Sequence, residues 1–131
     1  MPLQKEARVF VIAGLGYGDE GKGTTVDWLA RRHAIGGDVV CVRYNGGAQA
    51  AHNVVLPEGT HHTFSQFGSA TLAGAVTFLS SHMVVNPTTM LVESAVLAGL
   101  PHPISIGDPL SRVHVDSTAL VTTRFHVAAN R

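Results

Sequence analysis

Four glycines and one lysine fall within eight residues, Gly16-Tyr17-Gly18-Asp19-Glu20-Gly21-Lys22-Gly23, just after a short apolar run, Val9–Ala13. A run of this kind, rich in β-branched side chains and ended by glycines, predicts a buried parallel strand. Thr24–His33 spaces Val26, Leu29 and Ala30 on one helical face, and Gly36-Gly37 ends it. Asp38–Arg43 then predicts a second buried strand. Strand, glycine loop, helix and strand form a βαβ unit. The fold class that follows is α/β and P-loop-like, with a mostly parallel sheet and flanking helices.

A loop between a strand and a helix N-terminus attracts anions. Glycines let backbone amides approach phosphate oxygens, the helix adds partial positive charge, and Lys22 adds a full one. The chain has only two lysines, Lys5 and Lys22, so a lysine inside this loop stands out. Two templates match in part. Gly16, Gly18 and Gly21 satisfy G-x-G-x-x-G, but Asp38 opens the second strand, whereas the acidic residue of that template ends it. Gly16, Gly21 and Lys22 satisfy G-x-x-x-x-G-K, with Gly23 where a magnesium-holding Ser or Thr normally stands and Thr24 one position late. Both templates predict a nucleotide's phosphates as the ligand.

Asp19 and Glu20 are unexpected in an anion-binding loop. A carboxylate beside phosphate is repulsive unless a cation intervenes or the group takes a proton. Asp19 is therefore a candidate magnesium ligand, base, or both; the alternative makes the pair solvated turn residues capping the helix. A second glycine-containing loop, Tyr44–His52, directly follows the second predicted strand. Loops at the carboxyl ends of parallel strands form the ligand crevice, which predicts Asp19, Lys22 and His52 in one neighbourhood. His61 and His62 are adjacent on a predicted strand, point to opposite faces, and read as surface or groove residues.

Further along, Val54–Leu56 and Thr60–Gln66 predict a hairpin turning at Glu58-Gly59, and Val76–Val85 predicts a strand interrupted at Ser80-Ser81. Pro87–Ala98 predicts a helix with Asn86 as N-cap and Gly99 after its end. Arg112–Val115 predicts a strand, with Asp116 capping a last helix through about Ala129. The segment Ala128-Ala129-Asn130-Arg131 closes no element, so residues 1–131 read as the N-terminal portion of a larger nucleotide-binding domain.

Composition excludes other classes. The formal net charge is zero and the arginines are scattered, which leaves no nucleic-acid-binding face. No run approaches the roughly 20 apolar residues of a membrane helix, and none before the glycine loop suits a signal peptide. The single cysteine, Cys41, sits in an apolar run and reads as a buried strand residue, with a reduced, cytoplasmic compartment as the simplest setting.

These residues resemble the N-terminal part of the adenylosuccinate synthetase family. The G-D-E-G-K-G loop is intact as Gly18–Gly23, followed by Val26-Asp27, by the R-Y-x-G-G segment Arg43-Tyr44-Asn45-Gly46-Gly47, by a loop ending at His52, and by the V-x-x-P helix start Val84–Pro87. The resemblance implies a ligase: GTP phosphorylates the 6-oxygen of inosine monophosphate (IMP), and aspartate displaces the phosphate to give adenylosuccinate. By position, it implies Asp19 as the base that takes the purine N1 proton and as a Mg²⁺ ligand. His52 would donate to the transferring phosphoryl. Gly18, Asp19, Glu20, Gly21, Lys22, Gly23 and Thr24, with Gln49, Ala50, Ala51, His52 and Asn53, would line the nucleotide, and the Ala51 carbonyl would join the metal. A homodimer is implied by the family alone. The chain departs from the family's H-N-A-G-H at Ala48-Gln49-Ala50-Ala51-His52, which points to a divergent branch. Three other readings compete: a non-catalytic nucleotide-binding module, a P-loop hydrolase, and an α/β domain whose loop binds nothing.

Overall fold

The computed structural model describes residues 7–33, 39–48, 51–101 and 107–130. Helix α1 (Lys22–His33) leads to strand β1 (Val40–Gly46), hairpin strands β2 (His52–Val55) and β3 (His61–Phe64), and the long strand β4 (Val76–Val85). Helix α2 (Pro87–Gly99), strands β5 (Val113–Val115) and β6 (Leu120–Val121), and helix α3 (Arg124–Ala129) complete the order. β4 is the centre of a parallel sheet: β1 pairs with it from Val40↔Val76 to Gly46↔Met83, β5 at Thr77–Leu79, and β6 at Val84-Val85.

The predicted α/β class and parallel sheet hold. The Ser80-Ser81 interruption is a bulge, since Arg43 pairs with Leu79 but Asn45 pairs with His82, and the Ser80 hydroxyl donates to the Tyr44 carbonyl. The hairpin forms as expected, with Gly59 at φ 89° and its amide on the Leu56 carbonyl at 2.9 Å. α2 starts where Asn86 predicts, and the Asn86 side chain accepts from the Thr89 amide at 3.2 Å.

Two expectations fail, and the second predicted strand forms with shifted bounds. Val9–Ala13 forms no strand: a strand needs a neighbour for its amides and carbonyls, and no described residue pairs with this segment. The right βαβ unit is instead β4, α2 and β5. The second predicted strand begins at Val40 and runs on to Gly46; Gly36, Gly37 and Asp38 lie outside the described residues. Asp116 caps no helix. Its carboxylate accepts from the Thr118 amide at 2.9 Å in a turn, and the β-branched stretch after it pairs with β4 instead, with the Thr122 amide on the Val85 carbonyl at 2.8 Å.

Both longer helices cover one face of the sheet. Ala30 and Val26 of α1 pack with Cys41, Ala70, Ala73 and Ala75, while Met90 of α2 packs on Leu79, Met83 and Val85. A third cluster joins the hairpin to α2 through Val54, Leu56, Phe64, Phe67, Leu72 and Leu97. Cys41 lies on β1 and is partly buried, where the sequence suggested a buried strand residue, and its burial pushes the thiol pKa up. Among the described residues no helix is long and apolar enough to cross a membrane.

Candidate functional site

The glycine loop is wound by left-handed residues. Gly18 has φ 108°, Asp19 φ 53° and Gly21 φ 73°. Asp19 is the one non-glycine residue with positive φ among those described, and non-glycine residues seldom sit there outside turns and functional sites. Its side chain is exposed, and no described residue donates a hydrogen bond to its carboxylate. α1 begins two residues before the predicted Thr24, at Lys22, and the Thr25 amide and hydroxyl both donate to the Gly21 carbonyl at 3.0 Å. The helix N-terminus therefore opens directly from the loop.

Glu20 is an exposed turn residue with its carboxylate held in place. It folds back over the loop, accepts from the Gly16 amide at 2.7 Å, and pairs with the Lys22 ammonium. A Cβ added at Gly14 would lie 2.5 Å from the Glu20 Oε2 and 2.6 Å from the Lys22 Nζ, so the pair lies flat against glycine backbone. Lys22 and the Gly16 amide hold the Glu20 carboxyl below its ordinary value. This carboxylate uses a backbone amide and an ammonium of the kind a phosphate would use.

Gly23 explains the missing Ser or Thr. A Cβ there would lie 3.0 Å from the Asn53 carbonyl oxygen, 3.1 Å from the His52 Cβ and 3.4 Å from the Ser69 Oγ. Only glycine lets the first turn of α1 sit this close to β2. That contact carries His52 to the loop. His52 is half-buried, and its pKa is pushed below 6.5 by burial, then by the positive charges of Arg43 and Lys22. Lys22 and His52 thus share a neighbourhood, as the sequence predicted.

Beneath the loop lies a polar brace. Arg43 is buried and donates to the carbonyls of Ser65 and Phe67, the latter at 3.4 Å. Glu93 of α2 is also buried; it accepts from the amides of Ser65 at 2.9 Å, Gln66 at 2.6 Å and Phe67 at 3.4 Å. One residue takes the carbonyls of this segment and the other takes its amides. Ser65 reaches the Ala48 carbonyl at 3.4 Å, which ties the brace to the second glycine loop. His62 is not a surface residue: its Nε2 lies 3.5 Å from Glu93 Oε1, and its ring meets Phe64 edge-on. Glu93 was missed in the sequence, although a lone acid within the apolar helix TMLVESAVLAG was a signal for it.

The other predicted residues divide. Thr24 is exposed in the first turn of α1, Ala51 is exposed immediately before β2, and Asn53 lies on β2 with its carbonyl toward Gly23. Gln49 and Ala50 lie outside the described residues. No group of three His, Cys, Asp or Glu that could hold a metal occurs among the described residues. Mg²⁺ needs no such group. It binds through one or two carboxylates plus substrate phosphates and keeps several waters, and the unpartnered Asp19 carboxylate suits that mode.

The model of the adenylosuccinate synthetase family matches residues 11–131. The chain is 33% identical over 126 residues to adenylosuccinate synthetase of Thermoplasma acidophilum, covering 96% of this chain and 26% of that protein. With the Thermoplasma volcanium adenylosuccinate synthetase it shares 35% identity over 119 residues, 91% of this chain and 24% of the relative. It thus spans about a quarter of the length of these curated relatives. A solved structure of fully ligated adenylosuccinate synthetase from Plasmodium falciparum matches its fold at a TM-score of 0.67 and 23% identity, over 87% of this chain and 24% of that one. With the glycine loop, its close seat on β2 and a family match over nearly its whole length, this chain belongs to the adenylosuccinate synthetase family.

Proposed function

We propose that this chain carries the phosphate loop and catalytic base of a purine nucleotide ligase of the adenylosuccinate synthetase type. The reaction is GTP-dependent phosphorylation of IMP followed by condensation with aspartate. The observation that carries the reading is the close approach of Gly23 to β2, which seats Lys22 and the α1 N-terminus beside His52. Asp19 takes the proton from purine N1, so that the 6-oxygen gains the electron density to attack the γ-phosphorus of GTP; the bond from that phosphorus to the β–γ bridging oxygen breaks and GDP leaves. Lys22 and the loop amides neutralise charge on the transferring phosphoryl, and neutral His52 donates a hydrogen bond to it. The aspartate amine then adds at C6, the C6–O bond breaks, inorganic phosphate leaves carrying the former 6-oxygen, and the new C–N nitrogen gives up a proton to solvent. Asp19 and the Ala51 carbonyl are the groups that would hold Mg²⁺, which supplies further charge neutralisation on the phosphates.

The Glu20–Lys22 pair favours a second reading, a nucleotide-binding module without transfer, because Lys22 is already neutralised. A chimera separates the two: this chain replaces the matching quarter of the T. acidophilum enzyme, and adenylosuccinate formation is followed with GTP or ATP. Activity that falls by about 10²–10⁴-fold with Asp19→Asn, the usual worth of a general base, supports the ligase. A folded chimera that binds GTP without transfer supports the module.

A further inference from the structure

We infer that Ser69 belongs to the phosphate site, where its hydroxyl supplies from a separate segment the group that Gly23 leaves out of the loop. A hydroxyl on the residue after the loop lysine is that lysine's usual companion at a nucleotide's phosphates. Gly23 has no side chain to carry one. The Ser69 Oγ lies 3.4 Å from the point that a Cβ on Gly23 would occupy, and the His52 Cβ lies 3.1 Å from the same point. The hydroxyl therefore stands at the first turn of α1, one residue on from Lys22, and next to the strand that carries His52.

Its position is fixed, while its hydrogen-bonding capacity is unused within the described chain. The Gly68 amide donates to the Thr77 Oγ1 at 2.9 Å, and the Gly68 carbonyl accepts from the Thr71 amide at 3.0 Å and the Thr71 hydroxyl at 2.7 Å. These buried bonds hold the backbone before and after Ser69. Ser69 itself is only 7% exposed, yet no described residue hydrogen-bonds to its hydroxyl. A buried hydroxyl without a partner disfavours folding, and the large majority of buried polar side chains in native proteins have one. A phosphate oxygen held at the α1 N-terminus is an acceptor of the right kind in the right place. Gly23 and Ser69 thus divide one task. The glycine lets the helix approach β2, and the serine returns the hydroxyl that this approach excludes. The inference rests on the phosphate-loop reading above and on no catalytic step.

The test compares the unaltered chain, Ser69→Ala and Lys22→Ala. Binding of inorganic tripolyphosphate with Mg²⁺ is measured by titration calorimetry, and thermal unfolding is measured without ligand. A hydrogen bond from the hydroxyl to a charged phosphate oxygen is lost in Ser69→Ala, so binding should weaken about ten- to a hundredfold. The unfolding temperature should stay the same or rise, because the hydroxyl has no described partner in the free chain. Lys22→Ala should bind still more weakly. Ser69→Ala binding as tightly as the unaltered chain, with Lys22→Ala impaired, overturns the inference and leaves the phosphate loop standing. A lowered unfolding temperature in Ser69→Ala also overturns it, since the hydroxyl would then serve the fold. No binding by the unaltered chain overturns the phosphate-loop reading and the inference with it.

Discussion

Asp19 holds a left-handed backbone that a glycine would adopt more easily. A non-glycine residue there costs about 1–2 kcal/mol, although Asp is among the more tolerant, and glycine loses roughly 0.5–1 kcal/mol through its freer unfolded state. Asp19→Gly should therefore leave stability unchanged or raise it by up to about 1 kcal/mol, measured by denaturant unfolding, while abolishing transfer in the chimera. A carboxylate kept at a position that favours glycine is what a chemical role predicts. His52 gives a second check. Its folded pKa lies below 6.5, so the unfolded chain binds the proton first. Its contribution to stability becomes unfavourable as pH falls through 6.5, and the cost is complete below the folded pKa. NMR titration should place the His52 midpoint below 6.5 in the free protein and move it upward when inorganic phosphate binds. A midpoint unmoved by phosphate would separate His52 from the anion.

Between α1 and β2 the design is close approach, and between β3 and α2 it is a buried ion brace. Gly23→Ser restores the more usual loop residue, yet its Cβ would press on the Asn53 carbonyl and the His52 Cβ. Overpacking of this kind costs about 1–3 kcal/mol, so stability and nucleotide affinity should both fall; equal or tighter GTP binding would contradict the packing account. Glu93→Ala would strand three amides and leave Arg43 buried beside a lost countercharge. Removing one member of such a buried set costs about 3–5 kcal/mol, which thermal unfolding would read directly. The sequence was legible where signals are local. Asn86 and Pro87 announced α2, Glu58-Gly59 the hairpin, and Gly18–Gly23 the tightly wound loop before α1. It was not legible where partners are distant. The amides that Glu93 accepts from lie 26 to 28 residues away along the chain, and the reason for Gly23 is a strand about thirty residues later.

Across the whole molecule, the same distinction explains the failed strand at Val9–Ala13. β-branched composition states what a segment prefers, but pairing depends on what stands beside it. The α/β class survived because β1, β4 and β5 satisfy one another in parallel. Lys22 and His52 are neighbours because β2 delivers His52 to the start of α1. The proposed role of the molecule rests on the loop accepting phosphate in place of Glu20. The direct test is backbone amide NMR of the chain titrated with GTP, with guanosine as the control and Lys22→Ala as the variant. The account predicts shifts centred on Gly18–Thr24 and His52 with GTP, none with guanosine, and their loss in the variant. Equal shifts with guanosine, or GTP shifts that persist without the Lys22 ammonium, would contradict it.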